Sequence, residues 1–138
     1  MLTQDKAFSR LLGWAQTGKE IFLASTTDSE TKPAPTEISL LRLDAETGKT
    51  EQTAVLKETY LHNIHLSPDG KTIAFAVRRS EKDNIKLIPA TGGEEKSLTD
   101  NNDSRLYFSS LAWSPDGNSI YFGKQSRYSL LSMLSNFK

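Results

Sequence analysis

One ten-residue stretch occurs twice in this chain almost letter for letter. Residues 66–75 read LSPDGKTIAF, and residues 113–122 read WSPDGNSIYF. A weaker copy, WAQTGKEIF, occupies residues 14–22. Each copy has an apolar residue, then a turn that ends in glycine, then an apolar run, which is the pattern of a β-hairpin whose glycine adopts a positive φ. The sequence therefore predicts a repeat of antiparallel hairpins.

The turn glycines Gly18, Gly70 and Gly117 give the length of the repeat. They lie 52 (70 − 18) and 47 (117 − 70) residues apart, close to the roughly 40 to 50 residues of a four-stranded propeller blade. Paired-helix solenoids have a similar period, but short β-branched and aromatic runs broken by turns favour strands. We therefore predict an all-β fold of the β-propeller type. The predicted blades span about residues 8–55, 60–99 and 106–137 of a single domain, 1–138.

Turn residues separate four predicted antiparallel strands, A to D, within each blade. The predicted strands are 8–14, 20–25, 37–44 and 50–55 in the first blade, 62–66, 72–77, 84–89 and 95–99 in the second, and 108–113, 118–123 and 128–133 in the third. The third blade is about one strand short. Its end, 128–138, is either strand C or a closing helix.

Two apolar positions recur in strand A of every repeat. They hold Trp14, Leu66 and Trp113 at one position and Leu12, Ile64 and Leu111 two residues earlier. Because alternate residues of a strand share a face, both positions lie on one side of the sheet. We expect them to pack between blades rather than to form an exposed aromatic platform.

The two ends of the chain resemble the end of the second blade. The phrases LTQD at 2–5 and LSNF at 134–137 match LTDN at 98–101. The chain thus begins just after a strand D that it lacks and stops at the same phase. This predicts a piece of a larger ring, or a protomer that completes a ring by association.

Charge and composition narrow the classes of partner. Lys and Arg total 17, as do Asp and Glu, so no basic stripe predicts binding to nucleic acid or to an anionic membrane. The apolar runs are far shorter than the roughly 20 residues that cross a bilayer, and we expect no membrane insertion. The N-terminus lacks the pattern of a secretory signal. With no cysteine, the compartment stays open: cytoplasm by default, periplasm if a signal was removed.

The histidines and acidic residues do not predict a metal site. His62 and His65 stand three apart, so on a strand they point to opposite faces. We expect His65 to be hydrogen bonded between blades, with an imidazole beside a central channel as the alternative. Asp69 and Asp116 precede the turn glycines and are expected to accept backbone N–H bonds. The run 100–103 lacks the glycine and distal glutamate of a calcium loop.

Catalytic signatures are also missing from the sequence. It contains no G-x-S-x-G nucleophile elbow, no phosphate loop and no dinucleotide fingerprint. Its adjacent glycines, Gly92 and Gly93, fall in a predicted hairpin turn. We therefore predict that the chain is not an enzyme and needs no cofactor.

The two hairpin motifs, with Gly92-Gly93 and Leu98-Thr99 after the first of them, resemble the WD-repeat-like blades of the TolB family. That resemblance covers nearly the whole chain. It implies a ring of about four to eight blades, which three blades do not close. Two copies could form a six-bladed ring as a homodimer; the alternatives are that the rest of the ring is missing, or that three blades form a compact stack.

Similar blades serve several functions, so the resemblance implies a fold and not a single activity. We predict a non-catalytic binding module with a protein partner. The alternative is a gating or sensor propeller from a larger protein, such as a prolyl-oligopeptidase-like peptidase, a bacterial kinase or a transcription regulator. Loops usually carry binding residues. The residues expected on the binding surface are His65, Arg78, Arg79, Asp100, Asn101, Asn102, Asp103 and Arg105.

Overall fold

The computed structural model describes residues 8–26, 36–80, 82–125 and 130–136. Within those ranges every regular element is a β-strand, and none is a helix of the length and apolarity that crossing a membrane requires. The strands are β1 (Phe8–Trp14), β2 (Glu20–Thr26), β3 (Thr36–Asp44), β4 (Thr50–Leu66), β5 (Thr72–Arg79), β6 (Lys82–Pro89), β7 (Lys96–Ser97), β8 (Tyr107–Trp113), β9 (Ser119–Gln125) and β10 (Leu130–Asn136). The all-β prediction is confirmed.

The strands follow one another in space in the order of the chain. Strands β1 to β7 form one sheet and β8 to β10 a second, with every neighbouring pair antiparallel. Short glycine-containing turns join β1 to β2, β3 to β4, β4 to β5, β6 to β7 and β8 to β9, and each returns the chain beside the strand it has just left. We call β1 to β3 with the start of β4 blade 1, the end of β4 with β5 to β7 blade 2, and β8 to β10 blade 3.

Strand β4 corrects one prediction. The predicted strands 50–55 and 62–66 are one continuous strand that belongs to both blades. Its first half pairs with β3 and its last residues pair with β5, and the register shifts between Thr59 and Ile64. Glu58 has a φ of 58° at the crossing, and the Thr59 hydroxyl donates to the Ala76 carbonyl. No turn intervenes, so blades 1 and 2 share a strand.

Strand β7 is shorter than the predicted strand 95–99. Only Lys96 and Ser97 pair with β6. Thr99 leaves the ladder because its side chain replaces the backbone: its hydroxyl accepts the N–H of Ile85 at 2.9 Å. The chain then enters the connector to blade 3 two residues early.

Strand β10 decides between the two predictions for the end of the chain. Residues Leu130–Asn136 pair with β9 in an unbroken antiparallel register, so the strand is confirmed there and a helix over those residues is wrong. Residues 128, 129, 137 and 138 of the predicted segment lie outside the described part.

The repeated motif forms the same turn twice. In blade 2 the Ser67 hydroxyl donates to Asp69 Oδ1 at 2.6 Å, and that oxygen also accepts the Lys71 N–H at 3.0 Å. The corresponding bonds of Asp116 in blade 3 measure 2.7 and 3.0 Å. The predicted turn role of both aspartates is confirmed. These bonds, that of the Ser67 hydroxyl above all, hold the pKa of Asp69 below its ordinary value.

Two apolar cores lie between consecutive blades. The face of each blade toward the preceding blade, here the leading face, holds Ile73 and Phe75 in blade 2 and Ile120 and Phe122 in blade 3, all buried. The opposite face, here the trailing face, holds Phe22 in blade 1 and Ala74 in blade 2, also buried. The leading faces of blades 2 and 3 therefore pack on the trailing faces of blades 1 and 2.

Trp14 corrects the core prediction. Ile64 and Leu111 are buried, and Leu66 and Trp113 are partly buried against the two cores, as predicted. Leu12 is also partly buried, but the register shift between Leu11 and Gly13 places it on the opposite face from Trp14, so the predicted shared face is wrong in blade 1. The Trp14 side chain is instead 55% exposed. The reason is its place in the repeat: a preceding blade covers Leu66 and Trp113, whereas no described residue precedes blade 1.

Candidate binding surface

The predicted surface residues divide between the two ends of the blades. Strands β5 and β6 of blade 2 meet at one end, where Arg79 pairs with Lys82, and the segment 98–106 connects blades 2 and 3 at that same end. We call this the connector end. Seven of the eight predicted residues lie there, and His65 does not. The glycine turns of the repeated motif form the other end, here the turn end.

Asp83 joins the two segments of the connector end. It is 8% exposed. Its Oδ1 accepts a charge-assisted bond from Arg78 Nη1 at 2.6 Å, and its Oδ2 accepts the backbone N–H of Phe108 at 2.8 Å. One carboxylate thus ties the blade 2 hairpin to the first residues of blade 3. Buried charges persist where they are paired and hydrogen bonded in this way.

A second set of bonds anchors the connector beside Asp83. The Asn84 Oδ1 accepts the backbone N–H of Asn101 at 2.5 Å and the Thr99 hydroxyl at 2.8 Å. In return the Asn84 amide donates to the Asn101 carbonyl at 3.2 Å, and the Asn101 amide donates to the Asp83 carbonyl at 3.1 Å. The connector is therefore fixed to β6 through three side chains.

The arginines of the blade 2 hairpin have different surroundings. Arg78 pairs with Asp83, and its guanidinium carbon lies 5.0 Å from the ring centroid of Tyr107, a cation–π distance. Arg79 pairs with Glu58 at 2.6 Å, yet its side chain is 53% exposed. Arg78 therefore belongs to the junction between the blades, whereas Arg79 faces solvent.

The distal part of the connector carries exposed charge. Arg105 Nε donates to Asp103 Oδ1 at 3.0 Å, and the Arg105 backbone N–H bonds the same oxygen at 2.9 Å. The hydrogen bonds from Arg105 hold the pKa of Asp103 below its ordinary value. In return, the Asp103 carboxylate raises the pKa of Arg105. Asp100 and Asn102 are exposed. This surface is polar, ordered by its own bonds and accessible.

His65 stands apart from these residues. It pairs with Ala74 on β5, four residues and thus about 13 Å from Arg78 along an extended strand. Arg10 Nη2 of blade 1 lies 3.5 Å from its Nδ1, and its carbonyl accepts the Trp113 indole N–H of blade 3 at 3.1 Å. The contacts of His65 are those of a histidine between blades, so it is not part of the connector end.

The chemistry of the described residues is that of a recognition surface. Over the part of the chain described, no three His, Asp or Glu side chains converge as a metal site requires. Asp103 is engaged with Arg105, and Asn101 with β6, so neither directs free oxygens toward a common point. The connector end offers guanidinium, carboxylate and amide groups for hydrogen bonding.

The sequence reasoning did not predict the roles of two central residues, Asp83 and Asn84. A signal for Asp83 was present: it alternates in phase with Ile85 and Leu87, which are buried on one face of β6. A carboxylate on the apolar phase of a strand indicates a buried, paired charge. Its partners, an arginine five residues before it and a backbone N–H in the next blade, follow only from the fold.

No family model matches this chain, and no curated protein matches its sequence. Solved structures do match its fold. TolB from Acinetobacter baumannii has a TM-score of 0.66 at 22% identity, and an uncharacterized protein from Listeria monocytogenes has 0.68 at 16%. These matches cover 96% and 99% of this chain but only 30% and 41% of those chains.

A prolyl endopeptidase gives a similar match. Its TM-score is 0.66 at 14% identity, over 97% of this chain and 21% of the peptidase. Neighbours at these identities establish the fold alone. The chain spans less than half the length of the proteins it resembles, and its fold is a TolB-like β-propeller arrangement of blades.

Proposed function

We propose that this chain is a non-catalytic interaction module that binds a protein partner through its connector end. The observation that carries the proposal is the position of Asp83, whose two oxygens hold the hairpin 78–83 and the start of blade 3 together. Two segments distant in sequence thereby present one surface.

The ordering of this surface favours binding. Asn84 and Asn101 fix the connector backbone, while the side chains of Arg79 and Arg105 are 53% and 75% exposed. A surface whose backbone is ordered before binding loses less conformational entropy on association. Arginine is also enriched at protein interfaces, because its planar guanidinium both stacks and donates several hydrogen bonds.

The charge balance favours a protein over a polyanion. The two segments hold four cations, Arg78, Arg79, Lys82 and Arg105, and four carboxylates, Glu81, Asp83, Asp100 and Asp103. A nucleic-acid surface would carry an excess of Lys and Arg. A surface with both positive and negative charges is complementary to a protein surface with the opposite arrangement of charges. The polar rims of protein interfaces carry such mixed charges.

Site-specific photo-crosslinking tests the proposal. A photoactivatable amino acid replaces Arg79 or Arg105 at the connector end, or Lys49 in an exposed loop at the turn end, in cells that contain the protein. We expect the first two positions to yield the same protein adduct, identified by mass spectrometry, and Lys49 not to yield it.

Direct binding to the purified partner completes the test. The double variant R79E/R105E should weaken binding at least tenfold, since exposed charge pairs at an interface set both encounter and register. The matched variant Lys49→Glu should bind as the original chain does. Equal affinity of R79E/R105E and the original chain, or adducts confined to the turn end, would overturn the proposal.

The likeness to a prolyl endopeptidase supports a second candidate, a propeller segment of a larger enzyme. Immunoblotting of the source cells separates the two. A species several times 15.4 kDa that carries a hydrolase domain favours the enzyme. A species near 15.4 kDa contradicts it.

A further inference from the structure

The register of the strands identifies equivalent residues in the three blades. Trp14 pairs with Ile21, Leu66 with Ile73 and Trp113 with Ile120. One step before them, Gly13 pairs with Phe22, His65 with Ala74 and Ala112 with Tyr121. The first set lies on the leading faces and the second on the trailing faces.

Both halves of the junction between blades are exposed at the two ends of the stack. On the leading face of blade 1, Trp14 is 55% and Leu11 is 64% exposed. On the trailing face of blade 3, Tyr121 is 48% exposed, whereas its counterparts Phe22 and Ala74 are buried. These three side chains are among the four large apolar ones that the described residues expose. Exposed apolar residues clustered on one face indicate an interaction site.

One hydrogen bond at the internal junction can be reproduced between these exposed faces. The Trp113 indole donates to the carbonyl of His65 in the preceding blade at 3.1 Å. Leu66 has no donor, so the junction between blades 1 and 2 lacks this bond. Trp14 has the indole again. Its acceptor, at the position equivalent to His65, would be the carbonyl of Ala112 on a third-blade trailing face.

We propose that the leading face of blade 1 binds the trailing face of blade 3 of a second copy of this chain, with the Trp14 indole donating to the partner copy's Ala112 carbonyl. Tyr121 of that copy then covers the apolar surface around Leu11. The occupant is a second copy because blade 3 carries the trailing-face positions that two internal junctions already use.

Two copies arranged in this way form a closed ring. Each copy offers one leading and one trailing face, so two copies related by a two-fold axis form two identical junctions. Two copies of three blades make six, within the range of about four to eight blades in which propellers form rings. The proposal does not rest on the connector-end function, because it uses the side faces of the blades and not their loops.

Light scattering on the full chain during size-exclusion chromatography, at several concentrations, tests the proposal. We expect a mass near twice 15.4 kDa. The variants Trp14→Glu and Tyr121→Glu should each halve that mass, because each would bury an unpaired charge in the interface between the two copies. Far-UV circular dichroism checks that both fold, and Lys49→Glu, on an exposed loop, should keep the mass of the original chain.

Mixing the two variants separates this junction from other dimers. Trp14→Glu keeps an intact trailing face on blade 3, and Tyr121→Glu keeps an intact leading face on blade 1. Each variant alone should therefore be a monomer, whereas the mixture should form a heterodimer with one intact junction. A dimer in which Trp14 faces Trp14 would survive Tyr121→Glu, and that result would overturn the proposal. So would a single-chain mass for the original chain at every concentration.

Discussion

The junction between blades 1 and 2 and the junction between blades 2 and 3 are held by different kinds of contact. Both junctions contain an apolar core. Between blades 1 and 2 the backbones also approach closely: a Cβ on Gly70 would lie 2.7 Å from the backbone nitrogen of Gln16 and the carbonyl oxygen of Trp14. Between blades 2 and 3 the nearest atom to a Cβ on Gly117 is Pro68 Cδ at 3.7 Å. At that junction Asp83 accepts a hydrogen bond from Phe108 and Trp113 donates one to His65, in addition to the apolar core.

The difference follows from how the chain passes between the blades. Strand β4 holds blades 1 and 2 at a fixed separation, so backbones can approach until only glycine fits. Blade 3 follows an irregular connector, and its position is set by side-chain hydrogen bonds. The same repeated motif thus tolerates two kinds of junction, one specified by shape and the other by polar pairing.

The largest loss of stability is expected at the close backbone contact between blades 1 and 2. Gly70→Ala should lower the free energy of unfolding by about 3 kcal/mol, from left-handed backbone strain of roughly 1 to 2 kcal/mol and overpacking of roughly 1 to 3 kcal/mol. Gly48→Ala is the matched control, because Gly48 has a φ of 76° against 75° for Gly70 and nothing within 4 Å. Urea unfolding followed by circular dichroism measures both. Equal losses would show that the close contact adds nothing.

A smaller effect is expected at the polar junction. Asp83→Ala should cost about 2 kcal/mol, because it leaves the buried Phe108 N–H and Arg78 without their shared acceptor. Asp103→Ala, which removes an exposed pair, should cost less. In a Trp14→Phe background, emission from Trp113 reports this junction alone. We expect Asp83→Ala to shift that emission at lower urea than circular dichroism changes; coincident transitions would contradict the comparison.

The smallest effect is expected in the turn that lies between both junctions. The pKa of Asp69 in the folded chain lies below its ordinary value of 3.8, so the ionised carboxylate stabilises the fold at neutral pH. That contribution is present above the unfolded pKa and is lost as the pH falls through the lowered folded value. Asp69→Asn should therefore be slightly less stable than the original chain at neutral pH, and the difference should disappear once the pH is below the folded pKa of Asp69. A difference that persists in acid would exclude the carboxylate charge as its cause.

Local pattern predicted the hairpins and most strands, because turn glycines and alternating apolar residues act over short distances. The continuity of β4 was also open to prediction: residues 56–62 contain no Gly, Pro, Asn or Asp, so the sequence has no turn signal where two strands were separated. The exposure of Trp14 could not be predicted from the sequence. Its burial depends on whether another blade packs against it, and its local sequence matches that of the partly buried Trp113.

The candidate surface was predicted in outline and not in mechanism. Arg79 and Asp100 to Arg105 were chosen as loop residues, and they do lie together at one end of the blades. The sequence did not distinguish the exposed Arg79 from Arg78, which is engaged at the junction. That distinction depends on Asp83 and Tyr107, whose approach to Arg78 follows from the register of β5 and β6 and the docking of blade 3.

Strand β4 also governs how the molecule loses its structure. Because it supplies the last strand of blade 1 and the first strand of blade 2, neither blade can open its sheet without removing a paired edge from the other. Blades 1 and 2 therefore unfold as one cooperative unit, and the segment 98–106 is the boundary at which blade 3 can separate from them. Amide protons of β2 and β5 should accordingly exchange in a single event, after those of β9.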